Sequence, residues 1–285
     1  MLLASFIREG VSALGALYPS EEARSILSIL CGELLGTSSY THIVEPSYAI
    51  APEKEPVLRE ALSRLVEGEP IQYVLGKAPF AGRSFRVTPD VLIPRPETEL
   101  LVQEAVKLHP ARVLDLCTGS GIIAWSVALG VPGAQVVAVD ISEKALEVAR
   151  TQPFSAECQA SGALPPVFVQ ADVLDTEQDF PYGPFDLILS NPPYVMEGEK
   201  ERMRPNVLSY EPSLALFVPD TDPLLFYRAI ARWSQRFLAP GGRGMAEINE
   251  ALGGETAAVF RSSGYCECRV FRDFFDKNRF VFYGR

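Results

Sequence analysis

VLDLCTGSGIIA, residues 113 to 124, runs from an apolar stretch through a loop with two glycines into a second apolar stretch. Glycine lets the backbone come close to a ligand, and the first turn of a helix presents N–H groups that no helical carbonyl accepts. The stretch therefore predicts a strand, a ligand-binding turn and a helix, as at the start of a doubly wound α/β domain. A tight strand-to-helix turn without a ligand has the same pattern, so the loop alone leaves both interpretations open.

Strands and helices alternate from residue 111 onward. The predicted strands span residues 112–115, 135–140, 167–172, 185–190, 244–248, 266–272 and 279–283. The predicted helices span residues 121–129, 142–150, 223–237 and 250–261. This alternation implies a largely parallel sheet covered by helices on both faces. Ligands bind such sheets beyond the carboxyl ends of the strands where the winding direction reverses, and the first and fourth strands are expected to flank that point.

Residues 1–75 have the pattern of a separate helical unit. The apolar residues of the first 17 positions fall on one helical face. Ser20 is suited to cap the N-terminus of a second helix, which should end near Gly36, and a third helix is predicted from Pro56 to Gly68. These helices are long enough to form a small core of their own.

The segment that follows predicts a joint between two domains. Two short strands around Ala81-Gly82-Arg83 predict a β-hairpin, and prolines then hold the chain extended until a helix begins near Thr98. We therefore expect a helical domain at residues 1–75, a hairpin linker at residues 76–97 and an α/β domain at residues 98–285.

The glycine loop matches two kinds of nucleotide site. The spacing Gly119-x-Gly121-x-x-Ala124 satisfies the dinucleotide fingerprint, so a nicotinamide enzyme is one candidate. S-adenosylmethionine sites have a similar loop together with an acid at the end of the first strand, which faces the amino-acid part of the cofactor. Asp115 occupies that position.

Two further carboxylates follow predicted strands. Asp140 closes the second strand nineteen residues after Gly121, which is the usual place for a carboxylate that binds two ribose hydroxyls. Asp172 ends the third strand, where it is suited to accept a hydrogen bond from an adenine amino group. These positions predict where the nucleoside part of a cofactor binds.

DLILSNPPYV, residues 186–195, leaves the fourth strand through a loop with two prolines. Proline has no N–H, and the residue before a proline is held extended. The loop thus offers two fixed acceptors, the side-chain oxygen of Asn191 and the carbonyl oxygen of Pro192, which match the two donors of a planar –NH2 group. Holding both N–H bonds directs the nitrogen toward a methyl sulfonium, and the bonds strengthen as positive charge develops. Tyr194 can lie flat against the planar group and exclude water.

This loop favours an N-methyltransferase over a nicotinamide enzyme. Hydride transfer needs no such pair of acceptors, and a loop stiffened only for structural reasons is a weaker explanation beside a nucleotide site. These residues leave the acceptor open, because a glutamine amide, adenine N6 and cytosine N4 all carry an –NH2 group.

The composition argues against several classes of partner. A net charge of −10 and a pI near 4.9 disfavour nonspecific binding to nucleic acid, which requires clustered Lys and Arg. No apolar run approaches the roughly 20 residues that cross a membrane, and the N-terminus lacks the basic region of a signal peptide. Five cysteines and two histidines show no metal-ligand spacing. We expect a cytoplasmic protein with reduced thiols that makes no direct contact with nucleic acid, membranes or a metal.

Five stretches spread over nearly the whole chain carry a family resemblance. They are EPIQYVLG at 69–76, IPRPETELLV at 93–102, DLCTGSG at 115–121, NPPY at 191–194 and YEPSLAL at 210–216. In these stretches the chain resembles the protein-(glutamine-N5) methyltransferases that modify peptide chain release factors. NPPY alone is shared with DNA amino-methyltransferases, whereas its combination with IPRPETE is specific.

The resemblance implies a class I S-adenosylmethionine-dependent methyltransferase with a doubly wound, Rossmann-like, seven-stranded and mostly parallel sheet. It implies a small all-helical N-terminal domain that recognises the substrate, a connecting hairpin, and a Gly-Gly-Gln loop whose glutamine enters between the domains. The implied reaction moves a methyl group from S-adenosyl-L-methionine to glutamine N5, yields S-adenosyl-L-homocysteine and modulates translation termination. Methylation of a ribosomal protein glutamine is the first alternative. A DNA amino-methyltransferase is the second, and the acidic N-terminal part argues against it.

The motifs and the resemblance also predict which residues of this chain bind the cofactor and the substrate. The predicted cofactor-binding residues are Asp115, Cys117, Thr118, Gly119, Ser120, Gly121, Asp140, Asp172, Val173 and Asn191. The residues predicted to hold the glutamine are Asn191, Pro192, Pro193 and Tyr194, of which Asn191, Pro192 and Tyr194 are the predicted catalytic residues.

The chain departs from the family pattern at two positions. Cys117 stands where the family tends to have glycine, which favours the ribosomal protein enzyme and questions whether this position needs a positive φ. Val173 stands where relatives have an aromatic residue that can stack on adenine, so it is either a cofactor contact or plain core. Arg95 and Glu97 are candidates for shaping the acceptor entrance, with a structural ion pair as the alternative for Arg95.

Overall fold

Two compact units make up the chain in the computed structural model, which describes residues 1–273 and 275–284. The first unit is Met1–Lys77 with Arg204–Tyr210, and the second is Ala78–Met203 with Glu211–Arg285.

The helices are α1 Leu3–Leu14, α2 Ser20–Leu35, α3 Thr41–Val44, α4 Glu55–Val66, α5 Ile71–Leu75, α6 Thr98–Lys107, α7 Ile122–Gly130, α8 Glu143–Arg150, α9 Ser155–Ser161, α10 Pro205–Tyr210, α11 Ser213–Leu216, α12 Leu225–Phe237 and α13 Gly253–Ser262, with 3₁₀ turns at Glu197–Arg202 and Glu250–Leu252. The strands are β1 Lys77–Phe80, β2 Arg83–Arg86, β3 Arg112–Leu116, β4 Gln135–Asp140, β5 Val167–Gln170, β6 Phe185–Ser190, β7 Val195–Met196, β8 Phe217–Val218, β9 Leu238–Glu247, β10 Glu267–Arg272 and β11 Asn278–Gly284.

The central sheet of the second unit has seven strands in the order β10-β11-β9-β6-β3-β4-β5. Strands β9, β6, β3, β4 and β5 are parallel, while β10 and β11 close one edge in antiparallel pairing. The chain passes from β3 to β4 on one side and returns to β6 on the other side of β3. The predicted seven-stranded, mostly parallel sheet is confirmed, and so is the reversal of winding between its first and fourth parallel strands.

The pairing registers bring three strand ends to one edge of the sheet. Leu116 at the end of β3 pairs with Val139 of β4 and with Ser190 of β6. The glycine loop after β3 and the proline loop after β6 therefore leave the sheet side by side. This edge is where an open parallel sheet binds its ligands.

Helices cover both faces of this sheet. Helix α7 is buried from Ile122 to Leu129, because its sequence is apolar apart from Ser126 and so has no polar face. It packs with α6 on one face, and α12 and α13 cover the other, where Trp233 and Phe260 are fully buried. The buried position of α7 fixes the glycine loop that precedes it.

The predicted hairpin is formed by β1 and β2. Ala81 and Gly82 at its tip have φ of 49° and 73°, as a two-residue hairpin turn with two positive φ values requires. Phe80 and Phe85 belong to the core of the sheet unit, and the main chain of β2 exchanges two hydrogen bonds with Gln152. By its contacts the hairpin is thus part of the second unit, and the assignment of a separate linker between functional domains stays a prediction.

The first unit is built on α1, α2 and α4, as expected, but the predicted cap of α2 is wrong. Ser20 is the first helical residue and does not occupy the N-cap position. The N-cap is Pro19, whose carbonyl accepts the N–H of Ala23 at 2.9 Å. Gly36 ends the helix at φ 73°, as predicted.

The segment Arg204–Tyr210 is counted with the helical unit although it lies far along the chain. Arg204 forms an ion pair with Glu22, and the Tyr210 hydroxyl donates to the carbonyl of Glu67 at 3.0 Å. Sequence patterns contain no sign of this segment, because its partners are 182 and 143 residues away.

The remaining differences from prediction concern short elements and boundaries. Helices α3, α5, α9 and α11 have only four to seven residues, too few for a clear apolar period. Strand β5 ends at Gln170 rather than at residue 172, and β9 begins at Leu238 rather than at residue 244. Within the described ranges, every helix is too short or too polar to span a bilayer.

Candidate active site

A cavity of about 180 Å³ lies beyond the ends of β3, β4 and β6. It is lined by nine of the predicted site residues: Cys117, Thr118, Gly119, Ser120, Asp140, Asp172, Val173, Asn191 and Pro193. The four predicted residues that do not line it are Asp115, Gly121, Pro192 and Tyr194. The fold therefore brings the glycine loop and the start of the proline loop to one cavity.

The glycine loop turns through three residues with positive φ. Cys117 has φ 61°, Gly119 φ 56° and Gly121 φ 79°. The position of Cys117 thus adopts a positive φ even without glycine. A Cβ on Gly119 would meet nothing within 4 Å, so this part of the loop is open on its cavity side.

Asp140 at the end of β4 holds this loop in place. Its Oδ2 accepts the N–H of Gly119 at 2.8 Å, and its Oδ1 accepts the N–H of Ser142 at 3.0 Å. Burial raises the pKa of the Asp140 carboxyl, while these main-chain hydrogen bonds favour its ionised form. Each carboxylate oxygen can accept further bonds, so Asp140 is available to hydroxyl groups of a ligand in the cavity.

Asp115 is not among the residues that line the cavity. Its side chain is fully buried in β3 beneath the loop, outside the cavity lining, and it accepts the hydroxyl hydrogen of Thr118 at 2.6 Å. Burial raises the pKa of Asp115 to about 7. The observed contact supports the loop from below, and direct contact with the amino-acid part of a cofactor stays a prediction.

Asp172 and Val173 both reach the cavity. Asp172 lies two residues beyond β5, and its Oδ1 accepts the N–H of Leu174 at 2.8 Å. Val173 is 3% exposed and packs in the core that covers one face of the sheet, and its carbonyl accepts the indole N–H of Trp233 at 2.9 Å. Val173 is therefore core and cavity lining at once.

We expect Gly121→Ala to destabilise the fold more than Gly119→Ala. Both positions have positive φ, but a Cβ on Gly121 would lie 3.1 Å from Ala149 and from Trp125. Overpacking of this kind costs about 1–3 kcal/mol beyond the shared backbone strain. Urea unfolding of both variants measures the difference, and equal free energies of unfolding would show that the contact at Gly121 relaxes freely.

The proline loop, residues 191–194, is named the acceptor loop for its predicted role, and it is anchored from the end of β9. The Asn191 Nδ2 donates to the hydroxyl of Thr98 at 3.2 Å, and that hydroxyl donates to Glu247 Oε2 at 2.6 Å. The Tyr194 hydroxyl donates to the other oxygen, Glu247 Oε1, at 3.0 Å. Asn249 adds a bond from its Nδ2 to the Tyr194 carbonyl at 3.3 Å. These contacts hold Asn191 and Tyr194 from the side away from the cavity.

Sequence reasoning missed Glu247, Thr98 and Asn249. A signal was present, since AEINE at residues 246–250 places an acid and an amide at the end of a buried strand. Glu247 is 4% exposed, and an acid that is this deeply buried must have partners.

Arg95 forms the structural ion pair that was one of its two predicted roles, and it also lines the cavity. Its guanidinium lies 2.8 Å from Glu211, whose buried carboxylate also accepts the N–H of Ile93 at 3.1 Å. The stretches IPRPETE and YEPSLAL thus meet through Glu211. Glu97 lies 3.8 Å from Arg279 and is not among the cavity-lining residues.

Two family models match the chain. The model described as "PrmC N-terminal domain" matches residues 5–76, and the model described as "Methyltransferase small domain" matches residues 96–207. The first coincides with the helical unit before β1. The second covers the glycine loop and the acceptor loop.

Several curated relatives align over almost the full length of the chain. A release factor glutamine methyltransferase from Bacteroides thetaiotaomicron is 41% identical over 281 residues, covering 98% of each chain. One of the same name from Flavobacterium psychrophilum is 35% identical over 291 residues, covering 99% of this chain and 98% of the relative. A solved release factor-specific protein-(glutamine-N5) methyltransferase from Alicyclobacillus acidocaldarius has 30% identity and a TM-score of 0.41, covering 70% of this chain and 99% of that one.

Proposed function

The chain belongs to the family of release factor glutamine methyltransferases, and we propose that it methylates the side-chain amide nitrogen, N5, of a glutamine in peptide chain release factors. The alignment with relatives of that name over 98% of both chains supports this function. One observation carries it: Asn191 of the acceptor loop and the glycine loop line the same cavity. The predicted target is the glutamine of the Gly-Gly-Gln motif.

We infer that S-adenosyl-L-methionine is the methyl donor, with S-adenosyl-L-homocysteine as the product. The lining residues fit such a nucleoside: Asp140 is a partly buried carboxylate where the sequence pattern predicts the ribose, and Gly119 leaves open space on its cavity side. Val173 and Leu174 offer apolar contacts for a base. When bound, the donor supplies a methyl group on a positively charged sulfur.

The residues of the chain would then position the acceptor. The oxygen of the Asn191 side chain and the carbonyl of Pro192 would each accept one N–H of the glutamine amide, and Tyr194 would cover its planar face. Both hydrogen bonds strengthen as the nitrogen gains positive charge, so they stabilise the transition state more than the bound substrate. Positioning of two reactants contributes on the order of 7–11 kcal/mol in the best cases.

The division of labour between the two parts of the chain is also a proposal. We assign substrate recognition to the helical domain at residues 1–75, which the N-terminal family model supports. Methyl transfer is assigned to residues 98–285, with the hairpin between them. A cytoplasmic location fits the five cysteines, which are all free thiols.

Tritiated S-adenosyl-L-methionine tests the substrate. The protein is incubated in parallel with purified release factors, with ribosomal protein and with DNA, and label is expected in the release factors only. A release factor with Gly-Gly-Ala in place of Gly-Gly-Gln is the matched control and should stay unlabelled. Label in a ribosomal protein instead would favour the substrate that Cys117 suggested, and label in DNA would overturn protein methylation.

A further inference from the structure

We propose that Glu247 is a positioning residue that acts through Thr98 to set which end of the Asn191 carboxamide faces the acceptor, a role that rests on the proposed function. The three side chains form a chain of hydrogen bonds from β9 through the start of α6 to the acceptor loop. Thr98 is fully buried and Glu247 is 4% exposed, so water does not compete for either group. Only Asn191 of the three lines the cavity.

The number of hydrogens that Thr98 can donate sets the direction of these hydrogen bonds. A carboxylate can only accept hydrogen bonds, and a threonine hydroxyl has a single hydrogen. Thr98 gives that hydrogen to Glu247 at 2.6 Å, so toward Asn191 it has only lone pairs to offer. The Asn191 nitrogen must therefore face Thr98, at 3.2 Å, and its oxygen must face away.

The direction matters because a carboxamide has a donor end and an acceptor end of nearly the same shape. A flipped Asn191 would present its –NH2 group to the –NH2 group of the acceptor glutamine, donor against donor. The loop sequence alone does not exclude this flip, since Asn191 can rotate without moving the prolines. Glu247 excludes it from outside the loop.

The same carboxylate fixes Tyr194. Its second oxygen accepts the Tyr194 hydroxyl at 3.0 Å, so both ends of the acceptor loop depend on one buried charge. Burial raises the pKa of Glu247 above its usual value and the nearby Glu97 adds to the rise, while the hydroxyls of Thr98 and Tyr194 and the charge of Arg279 oppose it. The Tyr227 hydroxyl also approaches, donating to the Glu247 carbonyl at 3.1 Å. The two hydroxyl donors favour the carboxylate form, which the hydrogen bonds from Asn191 through Thr98 to Glu247 require.

Thr98→Val and Thr98→Ser separate positioning from packing. Valine keeps the shape and removes the hydroxyl, whereas serine keeps the hydroxyl. We expect Thr98→Val to lower kcat for methyl transfer on the order of 10- to 100-fold, as small misplacements at a reacting centre do, with the Kd for S-adenosyl-L-methionine unchanged. Thr98→Ser should restore kcat to near the wild-type value. Thr98→Val with wild-type kcat, or Thr98→Ser as slow as Thr98→Val, would overturn the proposal.

Thr256→Val is the matched control. Thr256 is also fully buried in a helix, and its hydroxyl has no hydrogen-bond partner among the residues that the structure describes. It lies on α13, outside the cavity lining. This variant should keep kcat at the wild-type value, which shows that removing a buried hydroxyl as such has no effect on turnover.

NMR measures the orientation of Asn191 without any substrate. In protein labelled at asparagine nitrogens and threonine methyls, the side-chain –NH2 protons of Asn191 should show a nuclear Overhauser effect to the Thr98 methyl. Glu247→Gln should weaken it, because the new carboxamide can donate to Thr98 and release the hydroxyl hydrogen toward Asn191. If the nuclear Overhauser effect is unchanged in Glu247→Gln, or absent in the wild type, Glu247 does not orient Asn191 through Thr98 and the proposal is wrong. If the wild type labels no release factor, the proposed function fails, while this measurement still decides the orientation.

Discussion

Asn191→Ala is expected to abolish methyl transfer to release factors while S-adenosyl-L-methionine binding stays within about tenfold of the wild type. The side chain lines the cavity, and the hydrogen bond to Thr98 uses its nitrogen and leaves its oxygen for the acceptor. Removing one preorganised group that stabilises developing charge costs about 10²–10³ in kcat, and loss of acceptor orientation adds to this. Cofactor affinity should change little because the side chain acts chiefly on the acceptor.

Single-turnover kinetics and isothermal titration separate these two effects. Asn278→Ala is a control for the same chemical change at another place, since the Asn278 side chain donates to the Glu250 carbonyl outside the cavity. It should turn over at the wild-type rate. A titration in which Asn191→Ala loses cofactor affinity by far more than tenfold would make Asn191 a cofactor ligand first and an acceptor ligand second.

Asp140→Ala is expected to weaken cofactor binding by about 100-fold or more. A hydrogen bond to a charged group is worth about 1.5–3 kcal/mol, and two ribose hydroxyls would lose such bonds together. The variant also removes the acceptor of the Gly119 and Ser142 N–H groups, so the glycine loop loses its brace. Asp179→Ala is the matched control, because Asp179 is an exposed aspartate outside the cavity lining.

Titration with S-adenosyl-L-homocysteine and with its 2′-deoxy analogue distinguishes the contact of Asp140 with the ribose from its hydrogen bonds to the glycine loop. If Asp140 binds the ribose hydroxyls, the wild type should discriminate strongly between the two ligands and Asp140→Ala should not. Unchanged affinity in Asp140→Ala would move the ribose site elsewhere. Weakened affinity with undiminished discrimination would leave Asp140 only the role of bracing the loop.

The elements that position the site were largely predictable. β4 and β6 have the predicted bounds, and Ser142 caps α8 by accepting the N–H of Ala145, as its place before the helix indicates. The positive φ of Gly121 and the all-round burial of α7 also follow from local sequence. The predicted cap at Ser20 is wrong because Pro19 takes the N-cap position. Residue preferences alone do not decide which of two neighbouring residues becomes the N-cap.

The sequence by itself determined the alternation of strands and helices, the glycine loop and the proline loop. These features depend on residues adjacent in the chain, where φ preferences, missing N–H groups and the apolar period act directly. The support behind the loops was decided only by the tertiary structure. Thr98 reaches Glu247 across 149 residues and Asn191 across 93, and Arg95 reaches Glu211 across 116. A buried carboxylate accepts from whichever donors the packing brings to it, and the strand order and register of the sheet set which donors those are.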